Sequence, residues 1–452
     1  MLEPSDAQPD PAMEPPGNAA RPATRDVRRK VAGRLLPYLF LTYLVAFLDR
    51  VNIAYTAPAM ARQLGFSSQV LGWGMGIFFW GYFLLEIPGT ILIERWSARR
   101  WIAIMMTAWG LIAMSLSQVE TASGFYWLRF FLGAAEAGYF PGLVIYLTHW
   151  FGERDRARAL SAMMLSLPTA FIIGGPVSGY LLRLHWLHMA GWRWLFFMEG
   201  WPAVVLGIIS YFWLTDWPAQ ARWLSPAERS ELTQSLQGEF ARRRVVAGAG
   251  AALRQPLVWR MVLIYFLAVM AAYGFGLWLP SMLKLLGHYS ATQRGWWGAL
   301  PYVVSLLSLL YVGWSSDRSG ERRWHTAMPL FLGAIGLAIG SLVPAHNRAV
   351  LLTGFALVGI AAYSFMPGFW ALSSRYLGGM GAAVAVGLIN SLGNLGGFTG
   401  PYLIGVIEGR THSFAAAMAV LMCGLILAGL LILTLPEQLP ARSPSAPEAA
   451  HS

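Results

Sequence analysis

Twelve apolar blocks, each long enough to cross a lipid bilayer, constrain this chain of 452 residues more than any other feature. The hydrocarbon core is about 30 Å thick, so a spanning helix needs roughly 20 consecutive apolar residues. Only 12% of the residues are charged, against about 25% in soluble proteins. The sequence therefore predicts an all-α polytopic membrane protein. Its blocks lie near 34–56, 70–93, 100–119, 124–150, 159–184, 193–215, 257–284, 295–316, 324–343, 349–374, 383–407 and 413–436.

The blocks divide into two sets of six, separated by a polar linker over 216–256. We therefore predict a first six-helix half over 31–215 and a second half over 257–436. The flanking segments 1–30 and 437–452 are rich in Pro, Ala and Ser and contain no apolar run, which predicts disordered tails. The first of them lacks the apolar core of a signal peptide.

The basic residues indicate the orientation. With the N-terminus inside, the cytoplasmic segments hold 24 Lys and Arg and the opposite segments hold 7. Such a bias favours both termini in the cytoplasm and an even number of spans. The net charge of +11 lies in these loops, so it indicates membrane orientation and not a nucleic-acid partner. The single cysteine, Cys423, excludes an internal disulfide and a cysteine-rich metal site.

Two loops repeat a pattern of an acid followed by Arg residues at equivalent places in the halves. The pattern is suited to joining neighbouring helix ends through ion pairs, and we expect it to act in gating. Positive-inside flanks alone would explain the Arg residues but not the matching acids. The loop after span 2 contains Glu94, Arg95, Arg99 and Arg100, and the loop after span 8 contains Asp317, Arg318, Arg322 and Arg323.

Five ionisable residues lie well inside predicted spans of the first half: Asp49, Arg50, Glu86, Arg129 and Glu136. A charge at the centre of a spanning helix costs at least about 2.5–3.5 kcal/mol, so these side chains should face the bundle interior and pair with one another. Either they form a fixed ion-pair network, or they bind an anion and protons. Buried ion pairs are weak stabilisers compared with apolar packing, which favours the binding role.

Helical spacing places Arg129, Gly133 and Glu136 on one stripe of span 4, where the glycine leaves room for a helix or a ligand. Asp49 and Arg50 are about 100° apart on span 1 and can border one cavity. Glu86 precedes Pro88, so it could satisfy the backbone groups that the proline frees, or it could take part in proton coupling.

No Asp, Glu, Lys or Arg lies deep in the second half, and its candidate ligands are neutral. Asn390 and Asn394 share one face of span 11 and could bind substrate hydroxyl groups or join helices. The aromatic candidates could line a binding site or simply pack. They are Tyr273, Trp278, Tyr302, Tyr363 and Trp370. For Glu199, in the outer third of span 6, we expect a structural role.

The chain contains no metal-ligand spacing, nucleotide-binding loop or nucleophile elbow. The sequence therefore indicates neither an enzyme nor a cofactor. Transport by such a chain would have to use an ion gradient or run downhill.

The second loop, Gly313-Trp-Ser-Ser-Asp317-Arg318-Ser-Gly320-Glu-Arg322-Arg323, resembles the loop motif of the major facilitator superfamily; the first copy departs from it. Within that superfamily the chain is similar to the anion:cation symporter family. The similar segments begin Leu48-Asp49-Arg50, Arg129-Phe-Phe-Leu-Gly133, Gly191-Trp-Arg193 and Leu388-Ile-Asn390, and the resemblance covers roughly residues 30–436. It implies the twelve-helix major facilitator fold and proton-coupled import of organic anions such as tartrate, sugar acids or aromatic acids across a bacterial inner membrane.

The leading hypothesis is proton-coupled uptake of a small carboxylate by a monomer. Arg50 and Arg129 would bind the carboxylate, with help from the neutral residues of the second half. Asp49 and Glu136, and on the second interpretation Glu86, would carry protons. One alternative is a proton-coupled drug antiporter, because Gly174-Gly175-Pro176-x-x-Gly179 partly resembles an antiporter motif. Another is a membrane sensor, although no segment is long enough for an extra domain.

Overall fold

The computed structural model describes residues 23–240, 254–287, 289–344, 346–376 and 382–435. Over these ranges the regular structure is helical, and ten helical segments are long and apolar enough to cross a membrane. The helix Ser68–Arg95 and the helix pair of residues 382–411 occupy the second and eleventh positions and complete the predicted twelve. The apolar blocks therefore mark most span ends to within about four residues, but the helix of span 1 begins nine residues before its block and ends eight residues after it, and span 5 begins six residues before its block.

We number the spans 1 to 12 in chain order. The first half contains Arg25–Leu64, Ser68–Arg95, Ala98–Ser115, Ala122–Ala137 with Tyr139–Trp150, Glu153–Met164 with Ser166–Leu181, and Gly191–Trp213. The second half contains Pro256–Leu285, Ala291–Ser319, Arg323–Leu342, Arg348–Tyr363 with Met366–Tyr376, Ala382–Asn394 with Gly396–Thr411, and Phe414–Leu433. Pro226–Phe240 is a linker helix, and short 3-10 turns cover Leu116–Gln118, Trp186–His188 and Pro218–Gln220.

Four spans are each broken into two helices, and the breaks recur at equivalent positions of the halves. Spans 4 and 5 break at Gly138 and Leu165, and spans 10 and 11 break near Ser364 and at Leu395. Spans 4 and 10 correspond in the two halves, as do spans 5 and 11, so the repeat extends from the loops to the helix interiors. Interrupted helices at matching positions mark the binding region in many transporters.

The two halves meet closely on one side of the molecule, which we call the far side because it is opposite the start of span 1 and the end of span 12. A Cβ atom at Gly72 of span 2 would lie 2.7 Å from the carbonyl oxygen of Pro401 in span 11. A Cβ atom at Gly175 of span 5 would overlap the carbonyl oxygen of Gly295 in span 8. These four residues define the far-side seal, in which backbones touch because the glycines lack side chains.

The opposite side, which we call the terminus side, contains the start of span 1 and the linker helix. Span 1 begins at Arg25, so the expectation of a disordered tail is wrong for residues 25–30. The reason is pairing to folded segments: Arg28 binds Asp155 at 3.0 Å and Lys30 binds Glu228 at 2.8 Å. Residues 1–22 and 437–452 of the expected tails, and residues 241–253 of the linker, lie outside the described residues.

Candidate functional site

One ion pair joins spans 1 and 4 at mid-depth. The Nε and Nη2 atoms of Arg50 donate to Oε2 of Glu136 at 3.0 and 2.8 Å. The other oxygen of Glu136, Oε1, is buried and has no hydrogen-bond partner. The Glu136 side chain is 1% exposed, whereas the Arg50 side chain is 13% exposed. Arg50 therefore borders accessible space and holds a buried carboxylate through only one of its oxygens.

Aromatic rings surround the guanidinium group of Arg50. Its Cζ atom lies 4.7 Å from the ring centre of Phe47 and 5.1 Å from those of Phe78 and Tyr82. Tyr273, from span 7 of the second half, interacts with the same guanidinium group. Stacked rings hold a planar cation by cation–π attraction and exclude water from one of its faces. Arg50 is thus kept in place without using all of its hydrogen-bond donors on the protein.

Asp49 takes a partner different from the one expected. Its Oδ2 atom accepts from the indole nitrogen of Trp109 in span 3 at 3.1 Å, and its Oδ1 atom has no partner. The side chain is fully buried. Among the five intramembrane charges, the ion pair seen in the structure is Arg50 with Glu136, so the expectation that all five pair with one another is wrong. Asp49 is close enough to Glu136 to interact with it electrostatically.

Arg129 does not reach accessible space. Its side chain is fully buried, and its Nε and Nη2 atoms donate to the backbone carbonyls of Gly74 and Met75 in span 2 at 3.2 and 3.4 Å. Its Cζ atom lies 5.0 Å from the ring centre of Phe78, which also contacts Arg50. In this structure Arg129 joins span 4 to span 2 while its Nη1 atom is buried without a hydrogen-bond partner, and a contact between Arg129 and substrate stays a prediction. Gly133 makes the contact between spans 4 and 2 possible, because a Cβ atom there would overlap the carbonyl oxygen of Phe78.

Glu86 links the two halves on the terminus side. Its Oε1 atom accepts from the amide of Asn390 at 2.7 Å, and its Oε2 atom accepts from the hydroxyl of Ser391 at 2.8 Å. Both donors lie in the first helix of span 11. We call these three residues the Glu86 latch. Of the two roles considered for Asn390, joining helices is the one seen here.

Two of the remaining second-half candidates end helices at the breaks of spans 10 and 11. Tyr363 ends the first helix of span 10 and is buried, and it interacts with Tyr273 and Arg50. Asn394 ends the first helix of span 11 and is half-buried. Trp370 packs its ring 5.3 Å from that of Tyr265. Tyr273 and Tyr363 are thus brought to the Arg50 side of the interface between the halves. Trp278, which donates to the carbonyl of Pro401, and Tyr302, stacked on Phe171, belong to the packing.

The acid-and-Arg loops form ion pairs inside each half. Asp317 binds Arg322 at 2.7 Å, joining the ends of spans 8 and 9. In the first half the acid is Asp216, at the end of span 6: it accepts from the backbone nitrogen of Arg99 at 2.9 Å and from the hydroxyl of Ser97 at 2.7 Å.

The structure also places two other residues of these loops. Arg318 lies 5.6 Å from the ring centre of Trp314, and Arg100 is exposed. The side chains of Glu94 and Arg95 lie outside the described residues. Since the observed pairs stay within one half, the gating role of these loops stays a prediction.

Four partners of the site were missed by sequence reasoning: Phe78, Trp109, Ser391 and Asp216. Ser391 and Trp109 carry no charge, and a serine or tryptophan in a span is common enough to give no signal. The sequence did give a signal for Asp216, because an acid directly after span 6 lies on the same side of the membrane as the basic loop after span 2. Among the described residues, no three His, Cys, Asp or Glu side chains are grouped to hold a metal ion.

Comparison with known proteins agrees with this architecture. A family model described as Major Facilitator Superfamily matches residues 39–401 and 288–452. A putative tartrate transporter of Agrobacterium vitis is 39% identical, over 92% of this chain and 95% of that protein. The putative metabolite transport protein NicT of Pseudomonas putida is 35% identical, over 93% and 96%. A quinolone resistance transporter of Acinetobacter baumannii is also 35% identical, over 92% and 96%.

Solved structures support the same fold. The crystal structure of a D-xylose-proton symporter superposes with a TM-score of 0.71 at 16% identity, covering 90% of this chain and 98% of that one. The resemblance drawn from the sequence motifs is confirmed, as is the expectation of a transporter and not an enzyme. The chain belongs to the Major Facilitator Superfamily and is a multi-pass membrane transporter.

Proposed function

We propose that this transporter imports a small organic carboxylate together with protons, with Arg50 as the substrate-binding cation and Glu136 as a proton carrier. One observation carries the proposal: Arg50 is partly exposed and is held by a single oxygen of a buried carboxylate whose other oxygen has no partner. A planar guanidinium group can bind a carboxylate with two parallel hydrogen bonds, which is more than Glu136 offers it here.

Coupling follows from competition for Arg50. When a substrate carboxylate binds Arg50, Glu136 loses the hydrogen bonds to its Oε2 atom and is left buried without a hydrogen-bond partner. An unpaired carboxylate at that depth is costly, so Glu136 takes up a proton. When the substrate leaves, Arg50 returns to Glu136 and the proton is released. Asp49, with its free Oδ1 atom, is the second candidate carrier.

The remaining candidates take supporting places in this proposal. Tyr273 and Tyr363 would contact the substrate from the second half, and Asn394, at the break in span 11, would add a hydrogen bond to it. Arg129 acts as a positioning residue for span 2. The terminus side faces the cytoplasm, as the distribution of Lys and Arg favours. The tartrate transporters among the relatives support a hydroxylated carboxylate as the substrate class.

A second candidate function is proton-coupled export of a drug or metabolite. The quinolone resistance relative favours it, because its similarity covers almost the whole chain. Import and export differ in the sign of coupling: an inward proton gradient drives carboxylate accumulation in a symporter and drug extrusion in an antiporter.

The test is uptake by proteoliposomes of a panel of radiolabelled carboxylates, with and without an inward proton gradient. Glu136→Gln mimics the protonated form, so it should keep exchange of internal for external substrate and lose accumulation driven by the gradient. Glu120→Gln, at an exposed loop position, is the matched control. If Glu136→Gln accumulates substrate to the wild-type level under a pH gradient, Glu136 has a structural role instead.

Arg50→Lys tests the substrate contact. Lysine keeps the charge but lacks the planar donor pair, so it should impair substrate binding nearly as much as Arg50→Ala, with folding preserved. Near-normal binding by the lysine variant would argue against a carboxylate clamp at this position.

A further inference from the structure

A polar stripe continues along span 1 from the ion-pair site toward the far side. Asn52 and Tyr55 follow Asp49 at intervals of three residues, which places all three on one face of the helix. Asn52 is 1% exposed and Tyr55 is 5% exposed. Beside Asn52 lies Glu199 of span 6, a buried carboxyl group with no part in the proposed carboxylate site.

These neighbouring side chains carry polar atoms that are buried without partners. They are Oδ1 of Asp49, both side-chain polar atoms of Asn52, and Oε2 of Glu199. The Oε1 atom of Glu199 accepts from the hydroxyl of Ser178 in span 5 at 3.0 Å, and the Asn52 side chain lies close enough to interact with the same carboxyl group. Nearly all buried polar atoms in proteins have a partner, so a run of unpartnered ones calls for bound water or a proton.

The stripe ends at the far-side seal. A Cβ atom at Gly175 of span 5 would lie 3.0 Å from the hydroxyl oxygen of Tyr55, and one at Gly298 of span 8 would lie 3.3 Å from it. The Tyr55 hydroxyl group is therefore at the point where the two halves touch. When spans 5 and 8 separate, this hydroxyl group is the first polar group of the stripe to meet water.

We propose that Glu199 is a second proton-binding carboxyl group, which receives protons from the far side past Tyr55 and delivers them through water at Asn52 to Asp49. In the first step a hydronium ion gives its proton to the ionised Oε2 atom of Glu199 and becomes water. In the second step the O–H bond at Oε2 breaks as the proton passes through water to the free oxygen of ionised Asp49. The titratable groups that interact with Glu199 are Asp49 and Tyr55, both from span 1. Span 5 supplies Ser178, which does not titrate.

Span 3 packs beside Glu199 through small and apolar groups. Next to Glu199, Gly200 contacts Gly110 and Met114 of span 3, so that side contributes no charge to Glu199. If Glu199 served only to anchor span 5 through Ser178, a glutamine could accept the same hydrogen bond without the cost of a buried charge. Proton transfer, in contrast, needs a side chain that titrates, which glutamine does not.

This inference rests on proton coupling in the proposed function, and the experiment separates the two. Glu199→Gln keeps an acceptor for Ser178 and removes the titrating group, whereas Ser178→Ala removes the hydrogen bond and keeps the titrating group. Infrared difference spectra of the purified, substrate-free protein are recorded while the pH is changed. The Glu199→Gln spectrum should lack one carboxyl C=O band that is present in wild type and Ser178→Ala, and that differs from the band missing in Glu136→Gln.

Proteoliposomes give the second measurement. Proton-driven uptake should fall by about a hundredfold in Glu199→Gln, the low end of what a positioned proton-transfer group contributes, while exchange continues and Ser178→Ala stays near wild type. The inference is overturned if Glu199→Gln loses no band and keeps its uptake, or if both variants lose thermal stability equally with all bands retained. Uptake by wild type that does not depend on the proton gradient would instead refute the proposed function. The infrared spectra would still show whether Glu199 binds a proton.

Discussion

Removing the Glu86 latch should release the terminus side of the molecule. Ser391→Ala deletes one of the two hydrogen bonds that Glu86 accepts from span 11, at 2.8 Å, with a change of a single oxygen atom. A hydrogen bond to a charged group contributes about 1.5–3 kcal/mol and one between neutral groups about 0.5–1.5 kcal/mol. Each 1.4 kcal/mol is tenfold in an equilibrium constant, so the ratio of open to latched molecules should rise roughly tenfold to a hundredfold if Glu86 is ionised.

Distances between spin labels can measure that ratio. Cys423 is the single cysteine and is exposed, so Cys423→Ser supplies a background for labels at Arg158 and Arg375. These exposed positions lie at the terminus-side ends of spans 5 and 10, in different halves. Ser391→Ala should shift the distance distribution toward longer values.

Ser373→Ala is the matched control, since Ser373 is a buried serine that donates to its own helix at the Phe369 carbonyl. Adding Asn390→Leu to Ser391→Ala removes the second hydrogen bond and should shift the distribution further. If the double variant gives the distribution of Ser373→Ala, the latch contributes nothing to the conformational equilibrium and the reasoning fails.

Three further predictions follow from the packing. Gly175→Ala places a methyl group against the carbonyl oxygen of Gly295, so it should open the far side, measured as faster labelling of a cysteine placed below the seal. Arg129→Met removes the two hydrogen bonds that this charged side chain donates to span 2 carbonyls, and should lower stability by about 3 kcal/mol, measured as thermal unfolding in detergent. Asp317→Asn breaks the exposed pair with Arg322, and should lower stability by no more than about 1 kcal/mol while raising cysteine accessibility from the terminus side.

The spans could be predicted because the bilayer imposes a length on every apolar helix, whatever its neighbours are. The pairing of the charges could not. Arg50 and Glu136 are 86 residues apart, and the sequence offered two cations and three acids with no means of choosing among them. Arg129 shows why: its partners are backbone carbonyls of span 2, which any sequence would supply, and the contact depends on how closely Gly133 lets that helix approach.

The helix breaks were also missed. Gly138 and Leu165 lie inside continuous apolar blocks, and such a block predicts one helix where the chain forms two. Glycine and proline near such positions permit a break, but neighbouring helices decide whether it occurs. Several candidate ligands proved to lie just before the breaks, among them Glu136, Tyr363 and Asn394.

The break in span 11 gives this span two rigid rods with separate tasks. The rod Gly396–Thr411 carries Pro401 of the far-side seal, and the rod Ala382–Asn394 carries the latch donors Asn390 and Ser391. Because a joint at Leu395 separates them, one rod can tilt while the other stays packed. In this structure the far-side seal and the Glu86 latch are both in place, so the two ends of the molecule can be shut at the same time.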